Sequence, residues 1–467
     1  MKYGEMAFRT GEGIISTTAW TGDVSCVGYG AILKQLRESG YNKTSVTEEV
    51  IPVVPLLNTV PLYAGTVRAI CDCGDHAWVI IADCDSELKC LQYRDELFRA
   101  GFTSATERSI CGNRFLKVRG FGCDVRLQYF PSDESMRILV SGTEPDVQGE
   151  KGDGDKFDSV TAVQIGLGVD ITSRPISRDT ASVSMSYVIR LSDGSFIVYD
   201  GGLKLKEYAE RLLRTLNRLT PDGKPRIAAW ILTHPHPDHT GVLEYFAENP
   251  EYRDAVDVEL FISNFPSDIQ VAGESEDLPA YQNAVKKCMD FFPSAKKIKP
   301  FTGDILFIHG VELEVLYSQE VFLPTHMNDL NASSLVTRLT AEGCSLLFPA
   351  DHSDQESAYQ NLHFNKGAIR KIWGAHLKSD FVQVCHHGLG GGGTNEFYET
   401  VGAKYVFWPI GAEKYHAAKL GENPRNMYFK KPNVKTFYAF GGVQVCRLRS
   451  GKVSWKEYPD FNSFVES

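Results

Sequence analysis

The chain alternates short apolar runs with amphipathic segments, and glycine, proline and aspartate separate them. Apolar runs of about four to eight residues bounded by turn residues predict buried strands, and apolar positions repeating every three or four residues predict helices. Residues 227–232 are such a run, and residues 241–248 indicate the start of a helix. Many strands with helices between them predict two packed sheets with helices outside. Further strands are predicted at 185–190, 195–200, 258–263, 304–308, 311–316, 334–339, 345–349, 380–385 and 405–408, with a closing hairpin of 435–438 and 443–448.

The first third of the chain has a different pattern of predicted strands and helices. Residues 65–165 predict a small α+β unit, with a helix at 86–99 and strands at 78–82, 115–119, 124–129 and 136–140. Residues 146–158 are rich in glycine and charge, which is typical of a linker. Their aspartates do not have the spacing of an EF-hand loop, so a solvated linker is favoured over a calcium site. We therefore predict an N-terminal α+β accessory domain of unknown role at 1–178 and a second domain at 179–467.

Composition and charge favour a globular protein over a membrane protein or a protein that binds long nucleic acid. Hydrophobic residues make up 43% of the 467 residues and charged residues 23%, as in ordinary globular proteins. The net charge of −10 disfavours long nucleic acid as a partner. The sequence contains no apolar run of the roughly 20 residues that a membrane helix needs, and the N-terminus has no apolar signal core. We therefore expect a cytoplasmic protein without a membrane partner, and reduced thiols for its 11 scattered cysteines.

Residues 233–241, Thr-His-Pro-His-Pro-Asp-His-Thr-Gly, carry the strongest chemical signal. Four metal-capable side chains, those of His234, His236, Asp238 and His239, lie between a predicted strand and a predicted helix. His234 and His236 alternate in an extended segment and can point the same way. Imidazole and carboxylate ligands suit zinc, and also iron or manganese. A histidine-rich surface loop is the alternative, but three of the chain's 12 histidines in one short window favour metal binding.

Other polar groups flank apolar strands further along the chain, where a sheet scaffold presents functional side chains. Asp351 follows the strand predicted at 345–349, and His386 and His387 follow the one at 380–385. Asn331 and Ser334 lie at the start of another strand. Taken singly, Asp351 has the alternative of a helix cap and His387 that of a turn residue. Together with the histidine loop, these groups predict a six-ligand set for two metal ions.

These motifs resemble the metallo-β-lactamase superfamily over about residues 180 to 450. The resemblance rests on His234-x-His236-x-Asp238-His239, on Asp200-Gly-Gly and on Asp351. The segments Asn331-Ala-Ser-Ser334, Phe348-Pro-Ala-Asp351 and Val384-Cys-His386-His387-Gly388 are similar to one branch of it. That branch is the soluble C-terminal domain of the DNA-uptake protein ComEC and its relatives, which include phosphorylcholine esterases. Residues 1–178 resemble no family that we can name.

The resemblance implies an αββα sandwich with two metal ions at the sheet edge. One ion would be held by His234 and His236 and the other by Asp238 and His239, with Asp351 between them. Either His386 or His387 would complete the second site, and strand alternation does not distinguish them. The third ligand of the first ion is also open, because most family members have a histidine where the ComEC-like branch has Asn-x-x-Ser. The further candidates for a ligand or a supporting residue are His326, Asn331, Ser334 and Asp200.

The resemblance also implies a metal-dependent hydrolase. A water between two divalent cations loses a proton near neutral pH and attacks an electrophilic centre, and Asp238 is the residue expected to orient it. We expect two divalent ions, with zinc first and manganese or iron as alternatives. A small or short phosphoester or phosphodiester is the expected substrate, whereas lactams, lactones and thioesters are also handled on this fold. The competing hypotheses are a metal-binding sensor or interaction protein without turnover and a di-iron redox protein, although no flavin domain is visible. The sequence predicts neither the substrate-binding residues nor the oligomeric state.

Overall fold

The computed structural model describes residues 7–10, 13–16, 47–49, 55–145, 147, 154–167, 183–220, 222–268, 277–318, 330–352, 368–390 and 392–467. Its strands up to the sandwich are β1 Ala7–Thr10, β2 Gly13–Ser16, β3 Thr47–Glu49, β4 Val67–Gly74, β5 Ala77–Asp83, β6 Thr103–Ile110, β7 Asn113–Gly120, β8 Cys123–Phe130 and β9 Ser135–Gly142. The strands that follow are β10 Val160–Ile165, β11 Ser186–Arg190, β12 Phe196–Asp200, β13 Arg226–Leu232, β14 Asp257–Val258, β15 Leu260–Ser263, β16 Lys296–Ile298, β17 Ile305–Ile308, β18 Val311–Tyr317, β19 Val336–Ala341, β20 Cys344–Phe348, β21 Phe381–Gln383, β22 Tyr405–Trp408, β23 Lys435–Tyr438, β24 Val443–Arg449 and β25 Lys452–Tyr458.

Helices connect these strands. The α-helices are α1 Glu87–Arg99, α2 Lys206–Leu219, α3 Pro237–Glu248, α4 Pro250–Arg253, α5 Leu278–Met289, α6 Ala368–Trp373, α7 Asn395–Val401, α8 Ala412–Ala417 and α9 Phe461–Glu466. Short 3-10 turns at Leu330–Ser333 and Cys385–Gly388 lie next to the candidate metal ligands.

Sheet I has nine strands, in the order β16-β15-β13-β12-β11-β10-β24-β25, with β14 also pairing β13. The strands β12, β13, β15 and β16 run parallel, so their carboxyl ends meet at one edge. Continuous apolar runs are expected of parallel strands covered on both faces, and six of the seven residues of β13 are buried. The helices α2, α3, α5 and α9 cover the outer face through Tyr208, Val242, Val285 and Phe461.

Sheet II has seven strands, in the order β17-β18-β19-β20-β21-β22-β23, and its last four strands are parallel. Its inner face packs against sheet I through a shared core in which Tyr199 stacks on Phe348 at 4.1 Å between ring centroids. The helices α6 and α7 cover its outer face through Trp373 and Phe397. The order helix, sheet, sheet, helix confirms the predicted αββα sandwich.

Sheet III has six strands, in the order β4-β5-β9-β8-β7-β6, and α1 packs on one face through Cys90, Tyr93 and Leu97. Its other face contacts the sandwich. The buried guanidinium of Arg126 lies 3.0 Å from Asp304 and 4.8 Å from the ring centroid of Phe301. This sheet with its helix is the predicted N-terminal α+β unit. The strands β1, β2 and β3 form a separate small sheet.

Strand pairing departs from the sequence expectations at two places. Residues 435–438 and 443–448 were predicted to pair as a hairpin, but β23 pairs with β22 in sheet II and β24 with β10 and β25 in sheet I. The connection therefore crosses from one sheet to the other. Strand β10 lies before residue 178 and yet pairs within sheet I, and the division of the chain at 178 stays a prediction. None of the helices in the described ranges is long and apolar enough to cross a membrane.

Candidate metal centre

The histidine loop joins the carboxyl end of β13 to the first turn of α3. His234 is fully buried and lies in a bend, where its carbonyl accepts a hydrogen bond from the amide of His236 at 3.0 Å. His236 is the N-cap of α3, and Pro237 occupies the first helical position, where its missing N–H is no loss. Asp238 and His239 then lie in the first helical turn. The loop thus has the predicted strand-to-helix position.

Four side chains from three separate segments converge at this edge of the sandwich. Asp238, His239, Asp351 and His387 each offer one ligand atom, and these atoms all lie within 4.8 Å of one another. Nε2 of His239 is 3.2 Å and Nε2 of His387 is 3.5 Å from Oδ2 of Asp351. Oδ2 of Asp238 is 3.4 Å from Nε2 of His387. These residues are among those that the resemblance implied for the second ion, where the sequence left the choice between His386 and His387 open, and His387 is the one that lies in this group.

The two remaining histidines of the loop lie beside this cluster. Nε2 of His234 is 3.0 Å from Nδ1 of His236 and 3.9 Å from Oδ2 of Asp351. Asp351 is therefore the member of the cluster of four that also lies next to His234. This is the position of a carboxylate that can contact two ions at once.

Hydrogen bonds to the opposite ring nitrogens orient three of the imidazoles. Nδ1 of His239 donates to Oδ2 of Asp200 at 2.7 Å, and Nδ1 of His387 donates to the carbonyl of Pro409 at 2.7 Å. Nδ1 of His234 is 3.1 Å from Oγ1 of Thr233, which itself donates to Asp200. A histidine that holds a metal usually donates its other N–H in this way. Asp200 therefore supports the ligands and lies behind them.

The imidazoles and carboxylates of this cluster shift each other's pKa strongly, because they are buried away from solvent. Burial alone would lower the pKa of His387, but Asp351 and Asp238 outweigh it and raise the pKa to about 10. Burial also acts to lower the pKa of His239, and Asp351, Asp238 and Asp200 together raise it well above its usual range. The pKa of Asp351 falls well below its ordinary value, because His387 and His239 outweigh the effect of burial. Burial and the neighbouring His239 hold the pKa of His234 well below its usual range.

The donor set fits a divalent cation. Oδ1 of Asp351 and Nε2 of His387 are buried and make no geometrically satisfactory hydrogen bond within the described ranges, and the contacts of Nε2 of His387 are its ion pairs with Asp238 and Asp351. Buried polar atoms of a folded protein nearly always have a hydrogen-bond partner, and a bound ion would take its place here. Imidazole nitrogen and carboxylate oxygen are the atoms that zinc, iron and manganese accept.

The structure separates the remaining sequence candidates. His386 lies apart from the cluster, with Nδ1 2.7 Å from the carbonyl of Gly390 and Nε2 3.4 Å from Nδ2 of Asn331. Oγ of Ser334 accepts a hydrogen bond from the amide of Asp351 at 3.2 Å, so Ser334 fixes the backbone of that residue. His326 lies outside the described residues.

Sequence reasoning missed two residues that orient candidate ligands, and a buried histidine that follows Asp351. His352 is buried beside Asp351, 4.4 Å from the ring of Tyr317, and burial lowers the pKa of His352 to about 3. Its position directly after a candidate ligand was the available signal. Thr233 and Pro409 orient ligand histidines through a hydroxyl and a carbonyl, and no motif marks a backbone carbonyl in a sequence.

Residues 179–357 match the family model described as Metallo-beta-lactamase superfamily. The matched residues include the histidine loop and Asp351, and the match supports the superfamily for this part of the chain. It does not confirm the ComEC-like branch. A search of curated proteins found no match.

Solved structures also align with the chain at low identity. One is CmlA, a diiron beta-hydroxylase from Streptomyces venezuelae, with a TM-score of 0.35 and 10% identity over 63% of this chain and 54% of that chain. This chain thus spans about half of CmlA's length. Another is a metallo beta lactamase from Hirschia baltica, with a TM-score of 0.27 and 10% identity over 64% of this chain and 95% of that chain.

Proposed function

We propose that this chain is a metal-dependent hydrolase that cleaves a phosphoester or phosphodiester at the centre formed by the histidine loop, Asp351 and His387. The observation that carries the proposal is the buried cluster of four ligand atoms within 4.8 Å of one another, with Asp351 next to two further histidines. When bound, divalent ions there supply a hydroxide nucleophile near neutral pH and stabilise negative charge on substrate oxygens.

The protein's own groups have distinct parts in this proposal. Asp238, His239, Asp351 and His387 would hold one ion, and His234 and His236 beside Asp351 would hold the other. Asp200 and the carbonyl of Pro409 keep the ligand nitrogens of His239 and His387 aimed at the centre. Asp238 has 18% of its side chain exposed, more than Asp351 or His387, so it faces the open side and can orient the attacking group and accept its proton.

Two adjacent donor sets that share one carboxylate support a phosphoester substrate. Two anionic oxygens of a phosphoester can each bind one cation, whereas the carbonyl of a lactone, lactam or thioester offers a single oxygen. We also propose the ComEC-like branch, because Ser334 of its Asn-x-x-Ser motif holds the amide of the shared Asp351. Zinc is the ion that we propose first, since imidazole and carboxylate are its usual ligands in catalytic sites.

The two neighbouring histidines give a sharp test. The full chain is loaded with zinc or manganese, and its metal content and its hydrolysis of bis(p-nitrophenyl) phosphate are measured for His387→Ala and His386→Ala. We expect His387→Ala to lose bound metal and at least about 100-fold in rate, because it removes a ligand. His386→Ala should keep the wild-type metal content, since His386 contacts Asn331 and Gly390 instead.

Two outcomes would contradict the proposal. If His386→Ala loses metal and His387→Ala retains it, the assignment of ligands is wrong. If the metal-loaded wild type turns over no phosphoester, the proposal that this protein hydrolyses phosphoesters is wrong. Turnover of a lactone, lactam or thioester would then favour another hydrolase. The lack of any turnover would favour a metal-binding sensor.

A further inference from the structure

A second cavity lies away from the metal centre, between sheet III and the β16 edge of sheet I. Its volume is about 720 Å³, within the roughly 300–1,000 Å³ that is usual for small-molecule sites. The turn after β4 and the segment 141–145 form one wall, and α5 and β16 with their flanking residues form the other. Its lining contains none of the candidate metal ligands.

The wall on the sandwich side is basic. It carries Lys286 and Lys287 on α5 and Lys297 and Lys299 at β16. Lys297 forms an ion pair with Asp290. Lys287 is exposed and has no ion-pair partner among the residues that the structure describes. A cation in this position is available to a ligand.

The carboxylates of the cavity do not balance these lysines. Nζ of Lys286 and Nζ of Lys299 lie 2.7 and 3.1 Å from the same side chain, that of Asp75. Although burial acts to raise the pKa of Asp75, the two lysines hold it at about 2, so the carboxylate is ionised. Glu144 also lines the cavity, but its carboxylate is 2.5 Å from Arg126, which is not part of the lining. Asp72, which lies behind the lining, also acts electrostatically on Lys286 and Lys299. Lys287 is therefore the cavity lysine without a carboxylate of its own among the described residues.

Contacts between the two walls hold these charges in place. Asp75 lies in the turn after β4 with a φ of 53°, and a Cβ on the preceding Gly74 would approach the carbonyl oxygen of Pro266 to 3.2 Å. The turn thus packs directly on the loop that follows β15. Nζ of Lys299 also donates to the carbonyl of Phe265, and only 11% of its side chain is exposed. A cation fixed in advance loses little conformational entropy when a ligand binds.

We propose that this cavity binds the phosphate dianion of a small organic phosphate, with Lys287 and the Lys286–Lys299 pair as its cationic contacts. The unpaired charge of Lys287 lies in the same lining as two further lysines that share the carboxylate of Asp75, and lysine is a common phosphate-binding residue. A small molecule fits better than a polymer, because the cavity lies between two packed walls and the chain carries a net charge of −10. The site is independent of the proposed hydrolysis and would exist whether or not that proposal holds.

The test uses phenylphosphonate, whose carbon–phosphorus bond resists hydrolysis at the metal centre. Its binding to the full chain is measured by isothermal titration calorimetry for the wild type and for Lys287→Glu. The matched control is Lys452→Glu, an exposed lysine on β25 at the opposite edge of sheet I. We expect saturable, salt-sensitive binding that Lys287→Glu weakens at least about tenfold and Lys452→Glu leaves within about twofold.

A third variant separates this cavity from the metal centre. His387→Ala removes a candidate metal ligand and should leave the affinity for phenylphosphonate within about twofold of the wild type. The proposal is overturned if no saturable binding occurs or if Lys287→Glu and Lys452→Glu weaken binding equally. It is also overturned if His387→Ala abolishes binding, because the anion would then bind at the metal centre.

Discussion

Asp200 offers the most direct test of how this centre is built. Its buried carboxylate accepts hydrogen bonds from the amide and the hydroxyl of Thr233, both at 2.8 Å, and from Nδ1 of His239 at 2.7 Å. In Asp200→Asn the side chain keeps its size, and one oxygen still accepts from the amide of Thr233. Its new NH2 group then faces Nδ1–H of His239, and two donors repel each other. His239 must rotate or move its proton to Nε2, and either change spoils the lone pair aimed at the metal.

The size of this effect follows from the role of such outer partners. Their loss typically costs 10–100-fold in metal affinity, or about 1.4–2.7 kcal/mol. We expect Asp200→Asn to raise the dissociation constant for zinc by that factor, measured on the full chain by competition with a chromophoric chelator. Circular dichroism of the same samples checks that the variant is folded.

A second aspartate of the same strand region provides the control. Oδ2 of Asp193 is also 2.7 Å from Nδ1 of a histidine, His309, but Asp193 precedes β12 whereas Asp200 ends it. A five-residue strand spans about 16 Å, so Asp193 lies far from the metal centre. Asp193→Asn should lower stability and leave the zinc affinity within about twofold. The reasoning is refuted if folded Asp200→Asn binds zinc as tightly as the wild type, or if both variants weaken zinc equally.

Two further predictions concern stability. Hydrogen bonds to Asp193 and Glu259 raise the pKa of His309 to about 9, above the roughly 6.5 of an unfolded chain. Their contribution is therefore complete below about pH 6.5 and lost as the pH rises through 9. Because the ring is partly solvated, we expect a loss on the order of 2 kcal/mol in urea unfolding between pH 6 and 10. His309→Gln should remove this pH dependence, and an unchanged profile would contradict it. Arg126→Ala should cost about 3–5 kcal/mol in the same assay, because it leaves the largely buried Asp304 without its arginine and Glu144 with Lys117 alone. A cost below about 1 kcal/mol would show that the contact between sheet III and the sandwich contributes little.

The strands of the sandwich were predictable where burial alone determines the pattern. The apolar run at 227–232 became Arg226–Leu232, because a parallel strand covered on both faces has few polar positions. The predicted closing hairpin was wrong for a tertiary reason. Gly441 and Gly442 lie between the two strands, and a Cβ on Gly442 would lie 2.2 Å from the carbonyl oxygen of Tyr458. The glycine is required where chain segments approach closely, and such a contact is not visible in the local sequence.

The choice between His386 and His387 also depends on tertiary contacts. Both residues adopt positive φ, 47° and 53°, so strand alternation does not extend to them. Non-glycine residues rarely adopt this conformation, and the neighbouring sequence does not predict it. The carbonyls of Gly390 and Pro409 hold the two rings apart, and Trp408 donates to the carbonyl of His387 at 2.7 Å. The sequence therefore predicted that one of these two histidines is a ligand. The contacts of His387 with Pro409 and Trp408, which are distant in sequence, distinguish it from His386.

The candidate metal centre draws its candidate ligands from both halves of the sandwich, and this has a consequence for folding. The histidine loop follows β13 of sheet I, whereas Asp351 and His387 follow β20 and β21 of sheet II. Neither sheet alone brings four ligand atoms together, so an ion bound here favours the packed sandwich over any state in which the sheets separate. At a free metal concentration 100 times the dissociation constant, this linkage adds about 2.7 kcal/mol. Metal addition should therefore raise the melting temperature of the full chain, and Asp351→Asn should abolish that rise. An equal rise in Asp351→Asn would mean that the stabilising ion binds elsewhere.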